Sequence, residues 1–146
     1  MPHPKYLSAI TSLAIMILSL TSSMSFGQGS IEIEVSDVQL NSGPVVVEIY
    51  NSEAGWLEDP FQRLSLASDK AVQTATFDVP YGKYAITVYQ DLNSNGEADM
   101  NFLGIPKELV GFGNNYHPFG EPKYGSCLVD FTSDTPSHKI KLYSVF

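Results

Sequence analysis

The chain has 146 residues, a formal net charge of −8, 43% hydrophobic residues, 12% aromatics and one cysteine. That length accommodates one domain, and the apolar content is too high for a disordered chain. The acidic balance excludes a general nucleic-acid binder, which needs a basic face. One cysteine excludes an internal disulfide framework and any Cys-rich zinc site.

The N-terminus reads as an address. Lys5 and the α-amino group make a short positive start, and Leu7 to Leu20 is apolar or small, centred on Leu13-Ala14-Ile15-Met16-Ile17-Leu18. Thr21-Ser22-Ser23 and then Ser25-Phe26-Gly27 follow. This is the three-part plan of a secretory signal, with cleavage expected before Gln28. The apolar run is short for a membrane span, which needs about 20 residues; an uncleaved anchor is the alternative. No cysteine follows the cleavage region, which argues against a lipoprotein anchor. Residues 1–27 are therefore expected to be a signal peptide and 28–146 one exported domain, periplasmic or extracellular, with no membrane span after processing. Loss of Lys5 leaves that domain one charge more negative than −8.

Ile31-Glu32-Ile33-Glu34-Val35 alternates apolar and charged residues, the pattern of a strand with one buried face. Val45 to Tyr50 is β-branched and suits a central strand. Asn41-Ser42-Gly43-Pro44 between them is a turn cluster, so the pair is predicted to be a hairpin. Pro60 to Ala67 carries proline where a helix could start, but Phe61, Leu64 and Leu66 suit neither period, and the segment stays open. Ala75 to Val79 alternates again, Pro80-Tyr81-Gly82 ends it, and Tyr84 to Tyr89 is the best strand in the chain.

From Asp91 to Gly125 no periodicity is evident. Yet this stretch holds Phe102, Leu103, Ile105, Leu109, Val110, Phe112, Tyr116 and Phe119, so it is not composed like a disordered segment. Long loops of this kind are usually functional. Leu128 to Phe131 and Lys139 to Tyr143 make two further strands. Cys127 opens the apolar run Cys127-Leu128-Val129 and reads as a buried, inert thiol. Six or seven short strands and no long helix describe an all-β fold, a small antiparallel β-sandwich with one long irregular loop. A closed barrel is the alternative; the mature length favours the sandwich, whose common forms run near 100 residues.

The long stretch opens with a pattern that carries chemistry. In Asp91-Leu92-Asn93-Ser94-Asn95-Gly96-Glu97-Ala98-Asp99-Met100-Asn101, oxygen-bearing side chains stand at positions 1, 3 and 5, glycine at 6 and Asp99 at 9. That is the first half of an EF-hand calcium loop. A tight loop turns those side chains inward, glycine permits the bend, and the carbonyl at position 7, that of Glu97, joins the ring. Position 12 is Phe102 instead of a bidentate Glu, and the residues before the loop belong to a strand. A strand-linked variant needs a carboxylate from elsewhere. Glu108 is the candidate, with Asn101 as another ligand. The expected ligand set is thus Asp91, Asn93, Asn95, Glu97, Asp99, Asn101 and Glu108. With so little charge the affinity belongs in the extracellular range of roughly 10⁻⁴ to 10⁻³ M. A plain turn competes with this reading, because Asn-Gly is a preferred hairpin pair and Asp and Asn bond to their own backbone in turns.

Signals for catalysis are sparse. His117 and His138 have no metal-ligand spacing, and no Gly-x-Ser-x-Gly elbow occurs. Gly111-Phe112-Gly113-Asn114-Asn115 lacks the Lys-Ser/Thr of a phosphate loop and reads as a tight irregular turn. A pair of carboxylates at glycosidase distance remains conceivable from composition alone. Trp56, after Asn51-Ser52-Glu53-Ala54-Gly55, reads either as a sugar-stacking ring or as a rim residue covering one end of the sandwich.

Taken in order, Val79-Pro80-Tyr81-Gly82-Lys83-Tyr84-Ala85, Asp91 to Gly96, Leu103-Gly104-Ile105-Pro106-Lys107-Glu108 and Gly111 to Asn115 form a series. The series resembles the secreted bacterial family catalogued as domain of unknown function 2141, over roughly Ile31 to Tyr143. The family pattern usually has Ser at the position of Gly113. The resemblance implies export, a single domain and no assigned activity. The Pro-x-Gly-x-Tyr-Ala step is also similar to that of transthyretin-like sandwiches, an analogy of fold only. The expected role is a non-catalytic binding or accessory module of the cell envelope, meeting an envelope protein or glycan through the surface around Asn101 to Phe119. A small secreted hydrolase of an envelope polymer and a purely structural or assembly protein are the alternatives.

Overall fold

The computed structural model describes residues 28–145. The expected signal segment, 1–27, lies outside the described residues. Eight strands make two sheets. The first strand, β1 (Gln28–Ser36), lies in the middle of a three-stranded sheet between β4 (Gln73–Pro80) and β8 (Ser137–Lys141). The larger sheet runs β3 (Gln62–Leu66), β2 (Val45–Tyr50), β5 (Gly82–Gln90), and then β6 (Val110–Phe112). β7 (Leu128–Phe131) pairs with the first half of β5, while β6 pairs with the second half. Every pairing is antiparallel except β1 with β8, which is parallel. The fold is an all-β sandwich. Among the described residues no helix is long and apolar enough to cross a membrane.

The alternating strands face each other across the core. Ile31, Ile33 and Val35 of β1, with Ala75, Phe77 and Val79 of β4, meet Val45, Val47 and Ile49 of β2 and Tyr84, Ile86 and Val88 of β5. This apolar burial is the main driving force for the fold. The Pro80-Tyr81-Gly82 step carries the chain from the smaller sheet to the larger one.

Three expectations change. β1 and β2 do not form a hairpin; they belong to different sheets. Their connection is fastened elsewhere: the Val38 amide donates to Ala71 O and the Asn41 amide to Ser68 O. The buried Gln90 side chain donates to Gln39 O at 2.6 Å and accepts from the Gln39 amide at 2.9 Å. Gly43 has φ of +91°, and a Cβ there would lie 2.0 Å from Asp91 O, so the crossing needs glycine. The open segment after Pro60 is strand β3, with Leu64 and Leu66 packed on the core. The long stretch after Asp91 is not wholly irregular, because it contains β6 and two short 3-10 turns, Gly113–Asn115 and Tyr124–Cys127.

Those turns close one side of the sandwich. Asn115 donates to Lys139 O at 3.0 Å and accepts from the Lys141 amide at 2.8 Å, extending the edge of β8. Asn114 donates to Leu128 O at 2.6 Å. A Cβ at Gly113 would fall 1.9 Å from Cys127 O, so the chain approaches itself here at a distance only glycine allows. Cys127 is fully buried, and burial pushes its thiol up to about 12, which makes it the inert thiol expected.

Candidate functional site

β5 is buried on both faces. Its inward residues join the main core. Of its outward residues, Ala85 and Tyr89 join a second cluster with Val46 and Tyr50 of β2, Val110 and Phe112 of β6, and Cys127, and Thr87 is buried between them. Trp56, Tyr116, Tyr124 and Tyr143 pack over it. The loops that follow β2 and β5 cover this outer face only in part. Between them lies a groove of about 830 Å³, within the range of roughly 300–1,000 Å³ typical of ligand clefts.

The groove floor is polar, and strand register explains why. Glu48 is directly opposite Arg63 on β3 and opposite Thr87 on β5. The Glu48 carboxylate lies 3.6 Å from the Arg63 guanidinium, with its side chain 13% exposed. It accepts from the Tyr50 hydroxyl at 2.7 Å and the Thr87 hydroxyl at 3.0 Å. Burial, then the bond to Glu48, raises the Tyr50 pKa and keeps its proton in that bond. Arg63 also donates to Tyr89 Oη and to Gly96 O, and Tyr89 donates to Gly96 O at 3.1 Å. Burial, followed by the nearby Glu48 charge, pushes Tyr89 up to about 12. No buried side-chain polar atom among the described residues lacks a partner.

Gly96 links this floor to the Asp91 loop. Asp91 is 1% exposed and accepts from the Asn95 amide at 3.1 Å and the Gly96 amide at 2.7 Å. Its carboxylate therefore organises a turn. Asn93 and Asn95 donate their side-chain amides to Asp99, at 2.5 Å and at 3.2 and 3.3 Å. Glu108 does fold back to this loop, accepting from the Leu92 amide at 2.9 Å and the Asp99 amide at 3.2 Å. Burial raises its pKa most, while those two backbone bonds oppose the rise.

Of the seven residues the sequence singles out, Asp91, Asn93, Asn95, Asp99 and Glu108 come together. The Glu97 amide donates to Asn95 Oδ1, and its exposed side chain borders the groove. Asn101 builds its own turn, accepting from the Leu103 and Ile105 amides at 2.9 and 3.0 Å. Among the described residues no three His, Cys, Asp or Glu side chains converge as a metal cage. The side chains grouped here carry oxygens of the hard type calcium takes, though the Asn93 and Asn95 oxygens accept from backbone amides and their nitrogens face Asp99. The nitrogens facing Asp99 supply the positive ends that a cation would otherwise offer.

Sequence reasoning missed the groove floor. The available signal was Glu48, a charged residue inside the β-branched strand Val45–Tyr50, with Thr87 similarly placed in β5. Trp56 covers the outer face of the larger sheet. Its ring meets Tyr50 and Tyr124 edge-on at 4.9 and 5.7 Å, and its N–H donates to Pro122 O at 2.8 Å.

Residues 33–139 match the model of domain of unknown function 2141, described as an uncharacterized protein conserved in bacteria, and the chain belongs to that family. Neither the comparison with curated proteins nor that with solved structures gave a match.

Proposed function

We propose that the protein is an exported, non-catalytic binding or accessory module of the bacterial cell envelope, and that the outer groove of the larger sheet is its binding surface. The groove carries this reading. It has ligand size, a rigid two-strand floor and walls made of loops, the usual division between scaffold and binding function. The exposed rings of Phe102 (95% exposed) and Phe119 (109%) flank the wall segments and add apolar contact surface near it. The hydrolase alternative is less well supported. Glu48, the carboxylate on the floor, is engaged by Arg63, Tyr50 and Thr87, which leaves it poorly placed to act on a substrate.

The test uses the exported protein recovered from cells expressing the full chain. Its N-terminus should be Gln28, and it should be retained on isolated envelope. Leu103→Arg, in the groove wall, should lower retention with an unchanged melting temperature. Release of soluble fragments from the envelope polymer would instead establish the hydrolase; retention of residues 1–27 on a membrane-bound protein would establish the uncleaved anchor, and a protein confined to the cytoplasm would remove the export reading.

A structural calcium ion in the Asp91 loop belongs to the same proposal. Its support is the hydrogen-bonded grouping of Asp91, Asn93, Asn95 and Asp99 in a loop braced by Glu108. Millimolar calcium should then raise the melting temperature, as any ligand well above its Kd stabilises the folded state. Asp99→Asn should remove the rise, and no rise in the native protein rejects the ion.

A further inference from the structure

Resting on the groove as the binding surface, we infer that its occupant is a cationic, amphipathic peptide segment of a partner protein. The charge distribution of the lining points there. Glu48, Glu58, Glu97 and Glu121 face the groove, with Arg63 as the one cation in the lining. Arg63 is already engaged by Glu48, Tyr89 and Gly96. Glu58, Glu97 and Glu121 are exposed, and none lies in an ion pair among the described residues. They therefore set a negative field at the groove mouth, on a chain whose net charge is −8. Such a field attracts cations and repels phosphates and other acidic ligands.

The rest of the lining selects for apolar side chains between those cations. Leu57, Met100, Leu103, Pro106 and Pro118 supply the walls, and Leu57, Met100 and Leu103 are well exposed for aliphatic residues. A neutral glycan fits less well. Sugar recognition needs free donors and acceptors for hydroxyls, whereas Glu48, Arg63, Tyr50, Thr87 and Tyr89 are bonded to one another on the floor. The chain's single tryptophan, Trp56, has its N–H on Pro122 O and its ring edge-on to two tyrosines. A groove that has satisfied its own polar floor offers contact area and charge. A segment of alternating Lys or Arg and Leu complements both.

The experiment measures binding of the exported protein to three fluorescent probes: the peptide Lys-Leu-Lys-Leu-Lys, its analogue with Glu for every Lys, and a neutral chitin trisaccharide. The Lys peptide should bind at least tenfold tighter than the Glu analogue, with an affinity that falls as salt rises. The triple variant Glu58→Gln, Glu97→Gln, Glu121→Gln should lose at least fivefold. Neutralising Glu32, Asp78 and Asp134, away from the groove, should cost less than twofold. Leu103→Ser should lose affinity for the Lys peptide without changing its salt dependence. Equal binding of the two peptides overturns the inference, as does an equal loss in the two triple variants. Binding of the trisaccharide alone overturns it while the binding-module reading survives. Failure of all three probes with intact envelope retention does the same, and failure of both removes the groove as a binding surface.

Discussion

The inner face of the larger sheet presents Val45, Val47, Ile49, Ile86 and Val88 to the smaller sheet. Its outer face presents Glu48, Tyr50, Thr87 and Tyr89 to a groove. Both sets come from the same two strands, and alternate residues divide between them. The inner face is aliphatic, closed and matched by a second sheet. The outer face is aromatic and hydrogen-bonded, and irregular segments cover only part of it. The difference teaches that one pair of strands can carry stability on one side and recognition on the other, because a strand's two faces are chemically independent.

The most severe way to probe this division is Ile86→Ala. Ile86 is fully buried in the main core, and truncation of such a residue costs about 2–5 kcal/mol. Urea unfolding should show a loss near the upper part of that range, since both sheets contact the site. Asp91→Ala comes next, at about 1–2 kcal/mol, because the Gly96 amide loses its acceptor and the Asn95 amide keeps only Asn93 Oδ1. This variant should also speed hydrogen exchange at the Gly96 amide, since the groove wall loses its anchor. On the outer face, Tyr50→Phe removes one bond to Glu48, whose carboxylate keeps Thr87 and Arg63. A loss of about 1 kcal/mol is expected. A Tyr50→Phe loss equal to that of Ile86→Ala would erase the proposed division of labour.

The smallest effect is pH-dependent. Burial lowers the His138 pKa below its ordinary 6.5, and Nε2 accepts from the Asn114 amide at 3.2 Å. The folded state thus prefers neutral imidazole. The stability this contributes is complete above pH 6.5 and is lost as pH falls from there through the lowered folded value. His138→Gln should flatten the wild-type decline below about pH 6.5. An unchanged decline would mean that the contact of Asn114 with β8 does not depend on the imidazole.

The inner face was largely legible in the sequence. Alternation in Ile31 to Val35 and Ala75 to Val79 marks residues that do line the core. β5 was legible as a strand, but its outer burial was not. A run with both faces covered shows no alternation, and its cover comes from segments without periodicity. The missing β1–β2 hairpin has a similar cause. Local turn chemistry in Asn41 to Pro44 is genuine, yet the partners that hold this connection, Ser68, Ala71 and Gln90, are distant in sequence. In the Asp91 loop the grouping of Asp91, Asn93, Asn95 and Asp99 followed from spacing. The exposure of the Glu97 side chain and the separate turn at Asn101 depend on backbone torsions that composition does not encode. The groove floor needed register: Glu48, Arg63 and Thr87 become neighbours only once β3, β2 and β5 are aligned.

The parallel pairing of β1 with β8 has a consequence in time. β1 is the first strand described and β8 the last, and they lie side by side in the smaller sheet. One edge of β1 therefore has no native partner until Lys141 has been synthesised. Contacts this distant in sequence slow folding, because the loop closure they require is long. Ile33 and Val35, which line the core, wait for His138 and Ile140, more than a hundred residues later in the chain. The sandwich is thus a fold whose smaller sheet cannot be finished until the residues up to Lys141 are available to pair with β1.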